Sequence, residues 1–161
     1  MHPEAPPEGI PREAYFGRER SERIHSHLQS VAESVGLRMK PRDLIINSRR
    51  ALGAAELARE HGLFDEMHHA LFRAHWESTG HLEDVDDLVR IGTGIGLDAV
   101  ELRDSIETNR YDGVIDENRQ AASSVGIDAI PAHIFGRRYL VVGAQPYEVL
   151  KQVVDQVSAA E

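Results

Sequence analysis

The chain has 161 residues, no cysteine, and 18 Lys+Arg against 27 Asp+Glu, for a formal charge of −9. At that length about two-thirds of the unfolded surface can be buried, so one ordinary domain forms a core without staples; a disulfide framework, thiolate catalysis and Cys-ligated zinc are excluded. Residues 1–60 carry ten basic and nine acidic groups and residues 61–161 carry eight and eighteen, which leaves no basic stripe for nucleic acid, and no stretch reaches the ~20 apolar residues of a membrane span.

Residues 1–11 hold four of the seven prolines, Pro3, Pro6, Pro7 and Pro11, and predict an extended lead that cannot nucleate a helix. Met1-His2-Pro3-Glu4 lacks the basic and apolar regions of a secretory signal, so the expected compartment is the cytoplasm. Arg12 to Gly36 reads as a helix, with Ile24, Leu28, Val31 and Val35 recurring on one face. Pro41 sits in a connector before the apolar run Leu44-Ile45-Ile46. Asn47 or Ser48 caps a helix that Gly62 ends, and Leu63 to Trp76 forms the next, with Leu63, Met67, Leu71 and Ala74 on one face. Thr79-Gly80 breaks it.

The acidic run Glu83 to Asp87 opens a helix at the favourable end of its dipole, and Gly92, Gly94 and Gly96 close it. Leu97 to Glu107 follows, with Asp98 as its cap and Leu102 and Ile106 inward, and Tyr111 to Val125 is closed by Gly126. The period then changes. Ala132–Phe135, Gly136-Arg137-Arg138 and Tyr139–Val142 read as strand, turn and strand. Pro146 opens a last helix with Leu150, Val153, Val154 and Val157 inward. The fold class is mostly α with a small β element, divided as a lead over 1–11, a helical domain over 12–125 and a C-terminal segment over 126–161. A lone two-stranded hairpin is marginal in water and needs a neighbour, for which only Leu44–Ile46 and the extended lead offer strands.

Several patterns resemble sites without completing one. His61, His68 and His75 recur every seven residues, but Gly62 separates the first from the helix of the others, and two turns are too far for a shared ion; they read as surface histidines and no metal site is expected. Gly92-Thr93-Gly94-Ile95-Gly96 has no preceding strand and the wrong spacing for a phosphate loop. Glu83 to Asp87 reads as a solvated helix start. Arg49-Arg50 could grip an anion at a helix N-terminus, but repulsion of the two cations by that end of the dipole favours a solvent role. Phe72 and Trp76 read as packing of the helical domain.

Gly126-Ile127, Ile130-Pro131 before a strand, the hairpin through Tyr139 and Val142-Gly143-Ala144-Gln145-Pro146 stand in fixed order. Upstream of them come Asn47-Ser48 opening a helix of small residues, Leu71-Phe72-Arg73-Ala74-His75 before an acidic loop, Gly96-Leu97-Asp98, and Tyr111 through Asn118 to Ala121. This ordered set resembles the DsbA family of thioredoxin-like oxidoreductases, and most closely its FrnE-type branch, related to 2-hydroxychromene-2-carboxylate isomerases and kappa-class glutathione transferases. The resemblance implies a thioredoxin-like α/β fold split by a helical insertion, of which this chain carries the insertion and the C-terminal part. It implies that the chain begins after the opening strand–helix–strand and its CxxC. It implies that Pro131 is the family's cis-proline and that Ile130 offers backbone groups to an extended thiol or peptide substrate.

No residue of this chain takes a catalytic role on that reading, and dithiol exchange by the chain alone is not expected. Three functions stand beside one another. The first is a truncated thiol–disulfide oxidoreductase. The second is a non-catalytic module binding a peptide or partner. The third is a glutathione-dependent isomerase or transferase relative, the sole reading that brings a cofactor. The uncovered hairpin predicts a homodimer or swapped oligomer.

Overall fold

The computed structural model describes residues 2, 5, 6, 8–77, 81–127 and 129–159. The expected helix stop at Thr79-Gly80, and Met1, Pro3, Glu4, Pro7 and Asp128, lie outside the described residues. Of the described residues 60% are helical, with two small antiparallel sheets among them, the mostly-α class that the periodicities predict. It divides into two units, Met1–Ile115 and Asp116–Glu161.

In the first unit, β1 (Ile10–Pro11) pairs antiparallel with β2 (Leu44–Ile45), Ile10 opposite Ile45 and Pro11 opposite Leu44. The two strand candidates expected to complete the hairpin therefore pair with each other. Gly9 sits at φ +79°, where a Cβ would lie 3.1 Å from the Ile45 carbonyl, so glycine is required for the strands to meet. The single helix expected over Arg12–Gly36 is two: α1 (Arg12–Phe16) and α2 (Arg18–Ser34). They break at Gly17, whose φ of 80° and ψ of 149° no helix contains. Of the residues that share one face, Ile24 is half-buried while Leu28, Val31 and Val35 are exposed, and the buried positions of α2 are Ser21 and Ala32.

The core lies in the next four helices, α3 (Arg49–Glu60), α4 (Phe64–Trp76), α5 (Val85–Thr93) and α6 (Ala99–Glu107). Helix α3 presents Ala51, Ala54, Ala55 and Ala58 around Leu57, and these small side chains let α4, α5 and α6 approach it closely. Met67, Leu88 and Leu102 fill the space between, all fully buried. Asp84 caps α5 by accepting from the Asp87 amide at 2.9 Å, and Asp98 caps α6 by accepting from the Glu101 amide at 2.8 Å. Tyr111 and Ile115 close this core at the start of α7 (Asp112–Ser124).

In the second unit β3 (Ala132–Phe135) pairs antiparallel with β4 (Tyr139–Val142), and α8 (Tyr147–Ser158) packs on β3. Gly136 and Arg137, at φ 55° and 57°, make the tight turn, closed by the Arg138 amide donating to the Phe135 carbonyl at 3.0 Å. A Cβ on Gly136 would lie 2.6 Å from Val157, so this glycine also seats α8. Leu150, Val153 and Val157 are half-buried and Val154, expected inward, is exposed. From Asp116 onward no described residue is buried.

Candidate functional site

The first candidate is the turn into β3. The Ile130–Pro131 peptide bond is cis, and the Pro131 carbonyl accepts from the Gly143 amide at 2.8 Å, which ties the turn to the residue after β4. A proline at this place costs the sheet no ladder donor, because it precedes the strand. Ile130 is 84% exposed, an unusual position for an isoleucine. Among the described residues β3 pairs with β4 alone, so each strand has one open edge. Ile134, Tyr139, Leu140 and Val142 add exposed apolar surface to that hairpin. The arrangement offers backbone hydrogen bonds and an apolar face to an extended chain. It offers no nucleophile.

The second candidate was not foreseen as a site. A cavity of about 190 Å³ opens between residues 41–46, the C-terminal end of α4 and the loop before α5. Arg42 builds one wall. Its Nη2 donates to the Ala74 carbonyl at 2.8 Å and its Nε to the His75 carbonyl, which anchors the segment on the end of α4. Glu83, in the run expected to be solvated, has a side chain only 16% exposed, because its loop is pinned by Arg50 donating to the Glu83 carbonyl at 2.9 Å. Its Oε1 lies 3.6 Å from His81 Nδ1. Glu83 Oε2 and His75 Nδ1 are buried with no hydrogen-bond partner among the described residues. Burial, and then the charges of Arg42 and Arg12, push the His75 imidazole down to about 4.

The remaining sequence candidates resolve into structure. His61 lies 3.1 Å from Glu101, His68 stacks on Phe72 with centroids 4.6 Å apart, and His75 turns toward the cavity, so the seven-residue spacing does not converge. Among the described residues no group of three metal-ligating side chains forms. Phe72 is exposed rather than core. Trp76 stands edge-on to His75 with centroids 4.6 Å apart. The glycine run is a helix end: the Leu97 amide donates to the Gly92 carbonyl at 3.0 Å, and Gly92 faces Leu102. Arg49 is not a solvated cation, since its guanidinium lies 3.0 Å from Asp112 and a local partner offsets the dipole's repulsion.

Sequence reasoning missed Arg42, His75 and Glu83 as a group because they lie far apart in the chain. The one local signal was a histidine beside the sole tryptophan at a helix end.

A family model described as DSBA-like thioredoxin domain matches residues 1–155. Among solved structures the chain is similar to the crystal structure of a probable DsbA oxidoreductase from Streptomyces coelicolor, at 25% identity and a TM-score of 0.90, over 99% of this chain and 73% of that one. The comparison with curated proteins gave no match.

Proposed function

The chain belongs to the family of DSBA-like thioredoxin domains, and from that premise we propose that it is the substrate-docking part of a thiol–disulfide oxidoreductase of the FrnE-type branch. On this reading Ile130 and Pro131 receive an extended thiol or peptide substrate, and the redox step belongs to a strand–helix–strand with CxxC that these 161 residues lack. The observation that carries the reading is Ile130, 84% exposed at the mouth of a strand with an open edge.

The chemistry supports the division of labour. Exchange requires a thiolate to attack one sulfur of a disulfide while the other leaves, and the chain has no sulfur except in three methionines. A second unit with no buried described residue also fits a fold missing the layer that covers it. A cysteine-free chain suits the reducing cytoplasm, which we propose as its compartment. The same absence of sulfur favours a second reading, a module that binds peptides or a partner and performs no exchange.

Two measurements test this. An extended peptide added to the isotope-labelled chain should shift the amides of Ile130, Ala132 and Ile134, and Ile130→Asp should weaken that binding about tenfold. Peptides that bind only elsewhere would refute the docking role. The DNA upstream of Met1 separates the two readings: in-frame codons for a strand, a CxxC helix and a strand establish the truncated oxidoreductase, and a nearby stop codon leaves the binding module. Insulin reduction by a dithiol should run no faster with the chain than without it, and a clear acceleration would overturn both.

A further inference from the structure

Helix α2 lies in the first unit, apart from the docking role assigned to Ile130 and Pro131. Its apolar stripe is left open by the described residues: Leu28, Val31 and Val35 are exposed, Val35 by 65%. The Leu37 amide donates to the Ala32 carbonyl at 2.8 Å, which folds the chain back past Gly36 and holds Leu37, 59% exposed, at the end of that helix. Single exposed apolar residues are ordinary, but a contiguous row of four marks a contact surface. The charges around it have one sign. At about 100° per residue, Arg20 falls about 40° from Ile24, whereas Glu22 and Glu33 fall roughly 160–180° away, on the opposite side of the helix. Beside Leu28 opens a recess of about 10 Å³ whose lining includes three cations, Arg12, Lys40 and Arg42, together with Trp76 and no carboxylate. Arg42 already faces Glu83. Arg12, Arg20 and Lys40 have no carboxylate partner among the described residues; the first two guanidiniums lie 5.5 and 5.7 Å from the centre of the Phe16 ring. Elsewhere Arg49, Arg59, Arg90, Arg103 and Arg110 each pair with a carboxylate. In a chain with 27 acidic and 18 basic residues, unpaired cations gathered beside an apolar stripe run against the composition.

We propose that this face of α2 binds an acidic amphipathic helix of a partner protein. The partner's apolar side chains lie along Leu28, Val31, Val35 and Leu37, and its carboxylates meet Arg20, Arg12 and Lys40. The recess has room for one water-sized group, so it seats the tip of a single Glu or Asp side chain and the stripe supplies the remaining contact. A second copy of the chain is a poorer match. A two-fold contact would set Arg20, Arg12 and Lys40 near their own kind, with Glu22 and Glu33 turned away. An anionic membrane is a poorer match as well, because α2 carries three arginines against three glutamates and has no net charge for a lipid surface to attract.

The probe is a fluorescein-labelled peptide of about 14 residues, with leucine at i, i+4, i+7 and i+11 and glutamate at the flanking positions. It is titrated with the full chain at low salt and read by anisotropy. Saturable binding is expected, weakened at least about tenfold by Val31→Asp and by the double variant Arg20→Glu, Lys40→Glu. Peptides with lysine in place of the glutamates, or serine in place of the leucines, should bind more weakly by at least the same factor. All three substituted positions are exposed, so the variants should fold, which circular dichroism checks. No saturable binding, equal binding of the lysine peptide, or full binding by the folded variants would overturn the proposal. So would a dimer in sedimentation, or binding to phosphatidylserine vesicles, that Val31→Asp abolishes, since either gives the face to another occupant.

Discussion

Gly92 sits inside α5, where alanine should be favoured by up to ~1 kcal/mol on helix propensity. The structure reverses that expectation. A Cβ at this position would lie 2.3 Å from Leu102 Cδ2 and 3.3 Å from Leu97 Cδ1. Carbon pairs are comfortable at about 3.5–4.0 Å, so Leu102 must retreat by more than about 1 Å. Leu102 is fully buried, so its side chain can retreat only by displacing the core residues around it. Overpacking of this kind costs about 1–3 kcal/mol, which leaves Gly92→Ala destabilised by roughly 1–2 kcal/mol after the propensity gain. For a chain of this size that lowers Tm by roughly 2–8 °C. Urea and thermal unfolding followed by circular dichroism read the change. The double variant supplies the control: in a Leu102→Ala background the added methyl fills space, and Gly92→Ala should become neutral or stabilising. If Gly92→Ala alone matches or exceeds the parent in stability, the packing argument is wrong.

Asp98→Ala removes the acceptor for the Glu101 amide and should cost ~1 kcal/mol, whereas Asp98→Asn, which keeps an acceptor, should cost far less; urea midpoints distinguish them. His75 gives a pH dependence. Its folded-state pKa of about 4 lies below the ordinary value of 6.5, so the unfolded chain takes up the proton first as pH falls. The stability is therefore fully present above about pH 6.5 and declines toward pH 4, by roughly 1–2 kcal/mol once solvent screening is allowed for. The slope of stability against pH should be shallower in His75→Gln, and an identical slope would refute the assignment. The hairpin's open edges predict concentration-dependent association in sedimentation experiments, reduced by Ile134→Lys; a monodisperse monomer that unfolds cooperatively would refute it.

Legibility followed the range of the interaction. Caps and stops lie within a turn of the residues that signal them, so Asp98, the start of α5 and the ends marked by Gly62 and Gly126 could be read directly, both glycines at positive φ. The inward positions of Leu102 and Ile106 were legible because α6 does have a core beside it. On α2 the same periodicity marks one face, but a stripe of Ile24, Leu28, Val31 and Val35 is silent on whether anything covers it: Ile24 is half-buried and the other three are exposed. The break at Gly17 was hidden because one glycine inside a helical run costs only ~1 kcal/mol and is often tolerated. Arg42 reaches the His75 carbonyl and Arg50 the Glu83 carbonyl across thirty-three residues each, and Arg49 meets Asp112 across sixty-three, distances at which no local pattern reports.

The second unit has no buried described residue, and that has a consequence for the amount of protein a cell can hold. On the proposed docking role, a hairpin and helix with so little interior would draw part of their folding free energy from a partner bound to them. By mass action a partner present at about a hundred times its Kd adds ~2.7 kcal/mol to the stability of the bound chain. A difference of that size shifts the steady-state abundance of a marginal protein several-fold through proteolysis. Under the proposed docking role, chains in excess of a partner would be cleared and chains in complex would persist, so stoichiometry would be set by degradation.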